Sequence, residues 1–139
     1  PEQIDSLTDT LLKSQAPIAT LIKKNHHFQD FQNPNRVKVV INNMGEALYF
    51  SRSSIPYHSD ENAFQFFWKH IGMYAFTKHA LLIIKTLSPS SLEICESLEQ
   101  LRWLEQGLKI QTIETQLETP SIDTPQDLDY ILDKFTTEF

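Results

Sequence analysis

The chain has 139 residues, 40% of them hydrophobic, and 18 acidic against 12 basic side chains give a net charge of −6. That size suits one domain with a core that needs no disulfide or metal staple, and the acidic balance argues against a general nucleic-acid binder. The single cysteine, Cys95, excludes an internal disulfide and suits a reducing compartment, while the lack of an 18-residue apolar run or a leader pattern points away from the membrane and toward the cytoplasm.

The chain opens on Pro1 and enters a helix at once. Ile4, Leu7, Leu11 and Leu12 recur at helical spacing over residues 1–15, which suggests a chain beginning inside a larger domain. A short strand is predicted at 18–23, then a polar and aromatic loop at 25–35 holding Asn33-Pro34-Asn35. The β-branched run 37–41, a turn at 42–45 and a strand at 46–51 predict a β-hairpin. A loop follows at 53–62, then an aromatic strand within 64–76, its start drawn at Phe67. Residues 77–87 fit a helix, and Ser88-Pro89-Ser90-Ser91 breaks it and caps a second helix over 92–106 that Gly107 stops. A strand is predicted at 109–114, a loop at 119–122, and a last helix at 125–137 with Asp123-Thr124-Pro125 as its start signal. Strands and helices alternate around an inserted hairpin, so the expected fold class is α/β, with helices on the faces of a sheet. With only three glycines, no glycine-rich phosphate loop can be built from this chain.

Four groups of residues could carry chemistry. On the strand ending at Phe76, alternation puts Ile71, Met73 and Ala75 on a core face and His70, Gly72 and Tyr74 on the other. The latter leaves a histidine and a tyrosine flanking open space, either a polar ligand site or an ordinary solvent-facing edge. On the helix 92–106, Ile94, Leu98, Leu101 and Glu105 share a packing face, while Glu96, Glu99 and Trp103 project elsewhere. Glu99 beside Gln100 suits hydroxyl recognition, although acidic residues spaced by three are usually a solvated stripe. Asp123 is a helix cap or a metal ligand at the carboxyl edge of a sheet, where it would need a second ligand and substrate phosphates. Arg52, at a strand end, is a surface cation or a fork for a substrate carboxylate. His26, His27, His58 and His79 show no metal-ligand spacing and are expected at the surface; Cys95 is expected to be buried.

These features fall in one order. Asn33-Pro34-Asn35-Arg36-Val37-Lys38-Val39-Val40 is followed by Ala47-Leu48-Tyr49-Phe50-Ser51-Arg52 with Ile55-Pro56, then by His70-Ile71-Gly72-Met73-Tyr74-Ala75-Phe76. Ser97-Leu98-Glu99-Gln100-Leu101-Arg102 and Ile122-Asp123-Thr124-Pro125-Gln126-Asp127-Leu128 complete the series. Over residues 33–128 the chain resembles the 3-deoxy-manno-octulosonate (Kdo) cytidylyltransferases, or CMP-Kdo synthetases. The His-Ile-Gly-x-Tyr and Leu-Glu-Gln-Leu-Arg segments are fairly specific to them, whereas Asp-Thr-Pro-x-Asp-Leu is shared with wider sugar nucleotidyltransferases.

The resemblance implies the carboxyl-terminal part of a Rossmann-like sugar nucleotidyltransferase, with residues 1–139 as one sugar-binding and dimerisation region. It implies an enzyme that joins CTP and the acid sugar Kdo into CMP-Kdo for lipopolysaccharide synthesis, releasing pyrophosphate, and that works as a homodimer with Mg²⁺. By motif, Arg52 would meet the sugar carboxylate, His70, Tyr74, Glu99 and Gln100 would line the sugar pocket, and Asp123 would be one of two metal-holding aspartates. The family's nucleotide loop and its Gly-Asp-Glu-Pro segment, which carries the other aspartate, are absent from these 139 residues. The resemblance places that segment a few residues ahead of Pro1, so the chain alone is expected to be inactive. Thr119-Pro120-Ser121-Ile122 stands where many members carry glycines, and the stretch 57–67 is shorter than usual. A cytidylyltransferase for sialic acid or an amino-substituted Kdo, or a non-catalytic association fragment, are the alternatives.

Overall fold

The computed structural model describes residues 2–58, 61–117 and Leu132. In chain order the elements are α1 (Glu2–Ser14), β1 (Ile18–Asn25), α2 (Phe28–Gln32), β2 (Lys38–Ile41), β3 (Ala47–Ser51), β4 (Phe67–Phe76), α3 (Lys78–Ile84), α4 (Ser91–Glu96), α5 (Gln100–Glu105) and β5 (Ile110–Glu114), with a 3-10 turn at Glu61–Ala63 before β4. The strands form one mixed sheet in the order β3-β2-β4-β1-β5. Among the described strands only β5 runs parallel to its neighbour, pairing Ile18 with Ile110 through Ile22 with Glu114; the other pairings are antiparallel. The expected α/β class and the inserted hairpin, β2–β3, are both present.

β1 is an interior strand, and its first five residues are all buried, as a strand covered on both faces requires. Ala19 and Leu21 look to one side, where Leu7 of α1 packs with Ile71, Met73 and Ala75 of β4. Of the apolar positions in α1, Leu7 and Leu11 serve that layer, while Ile4 and Leu12 stay exposed. Ile18 and Ile22 look to the opposite side, into a larger core of Val39, Ala47, Phe50, Ala80, Leu98, Leu101, Trp103 and Ile110. The expected alternation of β4 therefore holds: 71, 73 and 75 face one layer, while Trp68, Tyr74 and Phe76 face the other. The pairing slips once. Thr20 stands opposite Tyr74 and Leu21 opposite Ile71, so Gly72 and Met73 are looped out of the ladder.

Three expectations are corrected. The loop predicted at 25–35 contains the single turn α2, held by Phe31, which is buried among Phe28, Phe64, Phe67 and His58. The helix predicted over 92–106 is two helices, because Ser97 adopts a left-handed conformation (φ 54°) at the end of α4. As a result Ile94, expected to pack, is exposed, and Trp103, expected to project, is a core residue at 5% exposure. Cys95, on the exposed side of α4, is likewise exposed rather than buried. The break before α4 is as expected: Ser90 caps it, and Glu93 closes a reciprocal capping box. Arg102 then ties α5 to α4, donating to both Glu93 carboxylate oxygens at 2.6 and 2.5 Å and to the Leu87 carbonyl at 3.0 Å.

The hairpin tip reaches across the larger core to β5. Gly45 turns with φ +75°, and its carbonyl accepts from the Thr112 backbone N–H at 2.8 Å and from the Thr112 hydroxyl at 2.7 Å. A Cβ on Gly45 would meet only the end of the movable Gln111 side chain, so the positive φ is what calls for glycine here. Lys109 pairs with Glu46 at 2.7 Å beside it.

Candidate functional site

Two walls meet over the larger core. The first is β4, whose His70 and Tyr74 side chains emerge on the same face with ring centroids 5.3 Å apart. His70 is held edge-on by Phe50 at 5.0 Å, and its Nε2 lies 3.0 Å from the Thr20 hydroxyl. Burial pushes the imidazole pKa down to about 4, so the ring is neutral at physiological pH. Tyr74 stacks on Phe76 and meets Trp103 edge-on at 5.1 Å. Its hydroxyl is buried and has no hydrogen-bond partner among the described residues. Burial first, and then the Glu99 carboxylate, raise its pKa above the usual tyrosine range, against a weaker pull from the Thr20 hydroxyl, which lies nearby but outside hydrogen-bond geometry.

The second wall is the start of α5. Gln100 is buried (6% exposed) and Glu99 is exposed, yet close enough for its charge to act on Tyr74. What places these two residues is the kink at Ser97, and that kink is held from the end of β3. The Glu96 carboxylate accepts from the Ser51 hydroxyl at 2.6 Å, the Arg52 backbone N–H at 2.9 Å and the Tyr49 hydroxyl at 3.4 Å. The Arg52 guanidinium donates to the carbonyls of Glu96 (2.9 Å), Pro34 (3.1 Å) and Ser97 (3.4 Å). Beneath them Lys38, fully buried, donates to the carbonyls of Asn33 (3.0 Å) and Arg52 (2.5 Å). Burial pushes the Lys38 ammonium down to about 8, against the Glu96 carboxylate, which raises it.

The structure therefore brings His70 and Tyr74 together and sets Glu99 near them. Arg52 ends β3 beside the kink that precedes Glu99 and Gln100. Three of its five N–H groups serve backbone carbonyls, and the other two have no partner among the described residues. Asp123, the candidate metal ligand, lies outside the described residues, as does the predicted helix 125–137. Among the described residues no cluster of three or more His, Cys, Asp and Glu side chains could hold a metal ion. Of the histidines expected at the surface, His26, His27 and His79 are exposed, but His58 has its Nε2 buried against Phe31 and Phe64. At the carboxyl ends of the parallel pair β1 and β5, a cleft of about 220 Å³ lies between Glu2, Gln3 and Ser6 of α1 and residues Glu114 to Leu117. That is the edge at which α/β sheets bind ligands. Sequence reasoning gave no role to Thr20, Lys38 or Glu96, because most of their partners lie 14 to 53 residues away along the chain.

Comparison with known proteins places the chain in a family. Residues 1–110 match the cytidylyltransferase family model, and the chain belongs to that family. It is 51% identical over 134 residues to the 3-deoxy-manno-octulosonate cytidylyltransferase of Cytophaga hutchinsonii, covering 92% of this chain and 53% of that protein. The enzyme of the same name from Parabacteroides distasonis is 45% identical, with 95% and 56% covered. A solved CMP:2-keto-3-deoxy-manno-octonic acid synthetase, complexed with CTP, superposes with a TM-score of 0.89 at 34% identity, covering 100% of this chain and 57% of that one. The chain thus spans about half the length of the relatives it matches. No helix among the described residues is long and apolar enough to cross a membrane.

Proposed function

We propose that this chain is the sugar-binding half of a cytoplasmic enzyme that joins CTP and Kdo into CMP-Kdo and pyrophosphate, supplying lipopolysaccharide synthesis. The observation that carries this is the meeting of His70 and Tyr74 on one face, with the Glu99 charge near them and Gln100 next along α5, in a chain of the cytidylyltransferase family. The names of the relatives support the choice of sugar and nucleotide.

The residue types suit the task. The two remaining N–H groups of Arg52 would meet the sugar carboxylate, and a cation there favours an acid sugar over a neutral one. Gln100 can donate and accept, and the Glu99 carboxylate accepts, which suits a ligand rich in hydroxyls. The Tyr74 hydroxyl, buried without a partner among the described residues, would gain one when the sugar binds. Asp123 would be one of two carboxylates for Mg²⁺, the ion that offsets charge as the sugar hydroxyl attacks the α-phosphate. The protein would act as a homodimer, for which the exposed Met44 and Leu48 of the hairpin offer apolar surface.

The test is pyrophosphate release from CTP, Kdo and Mg²⁺ by the full-length protein. Turnover is expected there and not in the 139-residue chain alone, and Asp123→Ala in the full-length protein should lower it at least about 100-fold with an unchanged melting temperature. Full turnover by Asp123→Ala removes that residue from the metal site. A preference for sialic acid or amino-Kdo in competition with Kdo moves the sugar assignment, and sedimentation of the active protein as a monomer removes the dimer.

A further inference from the structure

We propose that Thr20 is a positioning residue that fixes His70 as its Nε2–H tautomer, so that the imidazole presents Nδ1 to the sugar site as a hydrogen-bond acceptor. The inference rests on the reading of that face as a sugar site and adds which polarity of contact it offers.

The slip in the β1–β4 ladder creates the device. One step along β1, from Leu21 to Thr20, spans three steps along β4, from Ile71 to Tyr74. The carbonyls of Ile71 and Met73 flank this gap, and the fully buried Thr20 side chain fills it. Its oxygen lies 2.9 Å from the Met73 carbonyl oxygen and 3.4 Å from that of Ile71. A hydroxyl has one proton, and a carbonyl oxygen can only accept. The Thr20 proton therefore points at Met73.

The same oxygen lies 3.0 Å from His70 Nε2. With the hydroxyl proton committed, the proton on this contact has to come from the ring, and Nε2 must carry it. In the opposite tautomer the hydroxyl would turn its proton to Nε2 and leave two oxygens facing each other at 2.9 Å with none between them. A lost buried hydrogen bond of that kind biases the tautomers by roughly ten to one or more. Phe50 and Tyr74 both pack on the ring, with centroids 5.0 and 5.3 Å away. The ring is also neutral at physiological pH, as its burial requires. Nδ1 is thus left with a lone pair and makes no hydrogen bond among the described residues. It selects a ligand hydroxyl, which can donate, and discriminates against an ether or a deoxy position there.

The tautomer is read from the long-range ¹H–¹⁵N spectrum of histidine in the full-length protein. His70 is expected to carry its proton on Nε2 at pH 7. In Thr20→Val a mixture with the Nδ1–H form should appear, the KM for Kdo should rise about tenfold and the KM for CTP should stay within twofold, while Thr20→Ser should restore both tautomer and KM. An Nδ1–H signal for His70 in the unmodified protein overturns the proposal, as does an unchanged Kdo KM in folded Thr20→Val. If Thr20→Val fails to fold, the unmodified spectrum decides the tautomer and Thr20→Ser the role of the hydroxyl. An Nε2–H signal in a protein that does not turn over Kdo removes the sugar reading and leaves the tautomer lock standing.

Discussion

Removing the Glu96 carboxylate should be among the costlier single changes in this chain. Glu96→Ala takes the acceptor from the Ser51 hydroxyl, which is 1% exposed, and from the Arg52 backbone N–H. Each buried donor left without a partner costs about 1–3 kcal/mol. Lys38, fully buried, also loses the carboxylate that supports its charge. Water can reach part of the half-buried Glu96 position, so the lower half of that sum is the better figure, about 3 kcal/mol. Glu105→Ala is the matching control. Glu105 also accepts two hydrogen bonds, from the Ser91 hydroxyl and the Leu92 N–H, but it is exposed, so water replaces it and the loss should be under about 1 kcal/mol. Urea unfolding of the full-length variants at pH 7 measures both. Equal losses for the two, or less than about 1 kcal/mol for Glu96→Ala, would refute the view that burial makes this cluster count.

Lys38 sets a pH dependence. Its pKa falls from about 10.5 in the unfolded chain to about 8 in the fold, so between these values the unfolded state binds more protons and stability rises with pH. Measured against Lys38→Met, the unmodified protein should gain up to about 1 kcal/mol per pH unit from pH 8 to 10; parallel curves would show that the ammonium is not strained. Trp103→Phe should cost less than about 1 kcal/mol in thermal unfolding. The smaller ring leaves a small cavity, but it also removes an indole N–H that is buried without a partner among the described residues. A loss above about 3 kcal/mol would mean that this N–H is satisfied.

The parts of the fold set by local chemistry were legible in the sequence. The β-branched run and Asn42 to Gly45 announce the hairpin, Ser90 and Glu93 announce α4, and the alternation of β4 separates Ile71, Met73 and Ala75 from His70 and Tyr74. The break at Ser97 was not legible, because left-handed helix ends are usually marked by glycine. Here a serine takes that conformation, and Arg52, 45 residues earlier, donates to its carbonyl. α2 was hidden for a similar reason: one helical turn has no period of its own, and distant aromatic rings decide it. The candidate site residues were proposed from motif order, and their physical setting was not legible. Alternation put His70 on an open face without revealing Thr20, because a threonine in a β-branched strand looks like any other until the ladder slips. Arg52 was expected to face a ligand, and nothing in its neighbourhood signalled that three backbone carbonyls already occupy it.

The meeting of Gly45 with Thr112 bears on how copies of this chain can associate. A strand at the margin of a sheet is a template for any other strand, and proteins that stay soluble blunt it. β5 is such a margin, yet at its middle the Thr112 N–H is already taken by the hairpin tip, with the Glu46 and Lys109 charges alongside. A second copy adding its own strand there would first have to pull the tip away and expose Ala47 and the core behind it. Among the described residues, strand addition along β5 is therefore blocked at its middle, and a chain approaching this margin meets the hairpin tip and its charged side chains rather than an open ladder of backbone groups.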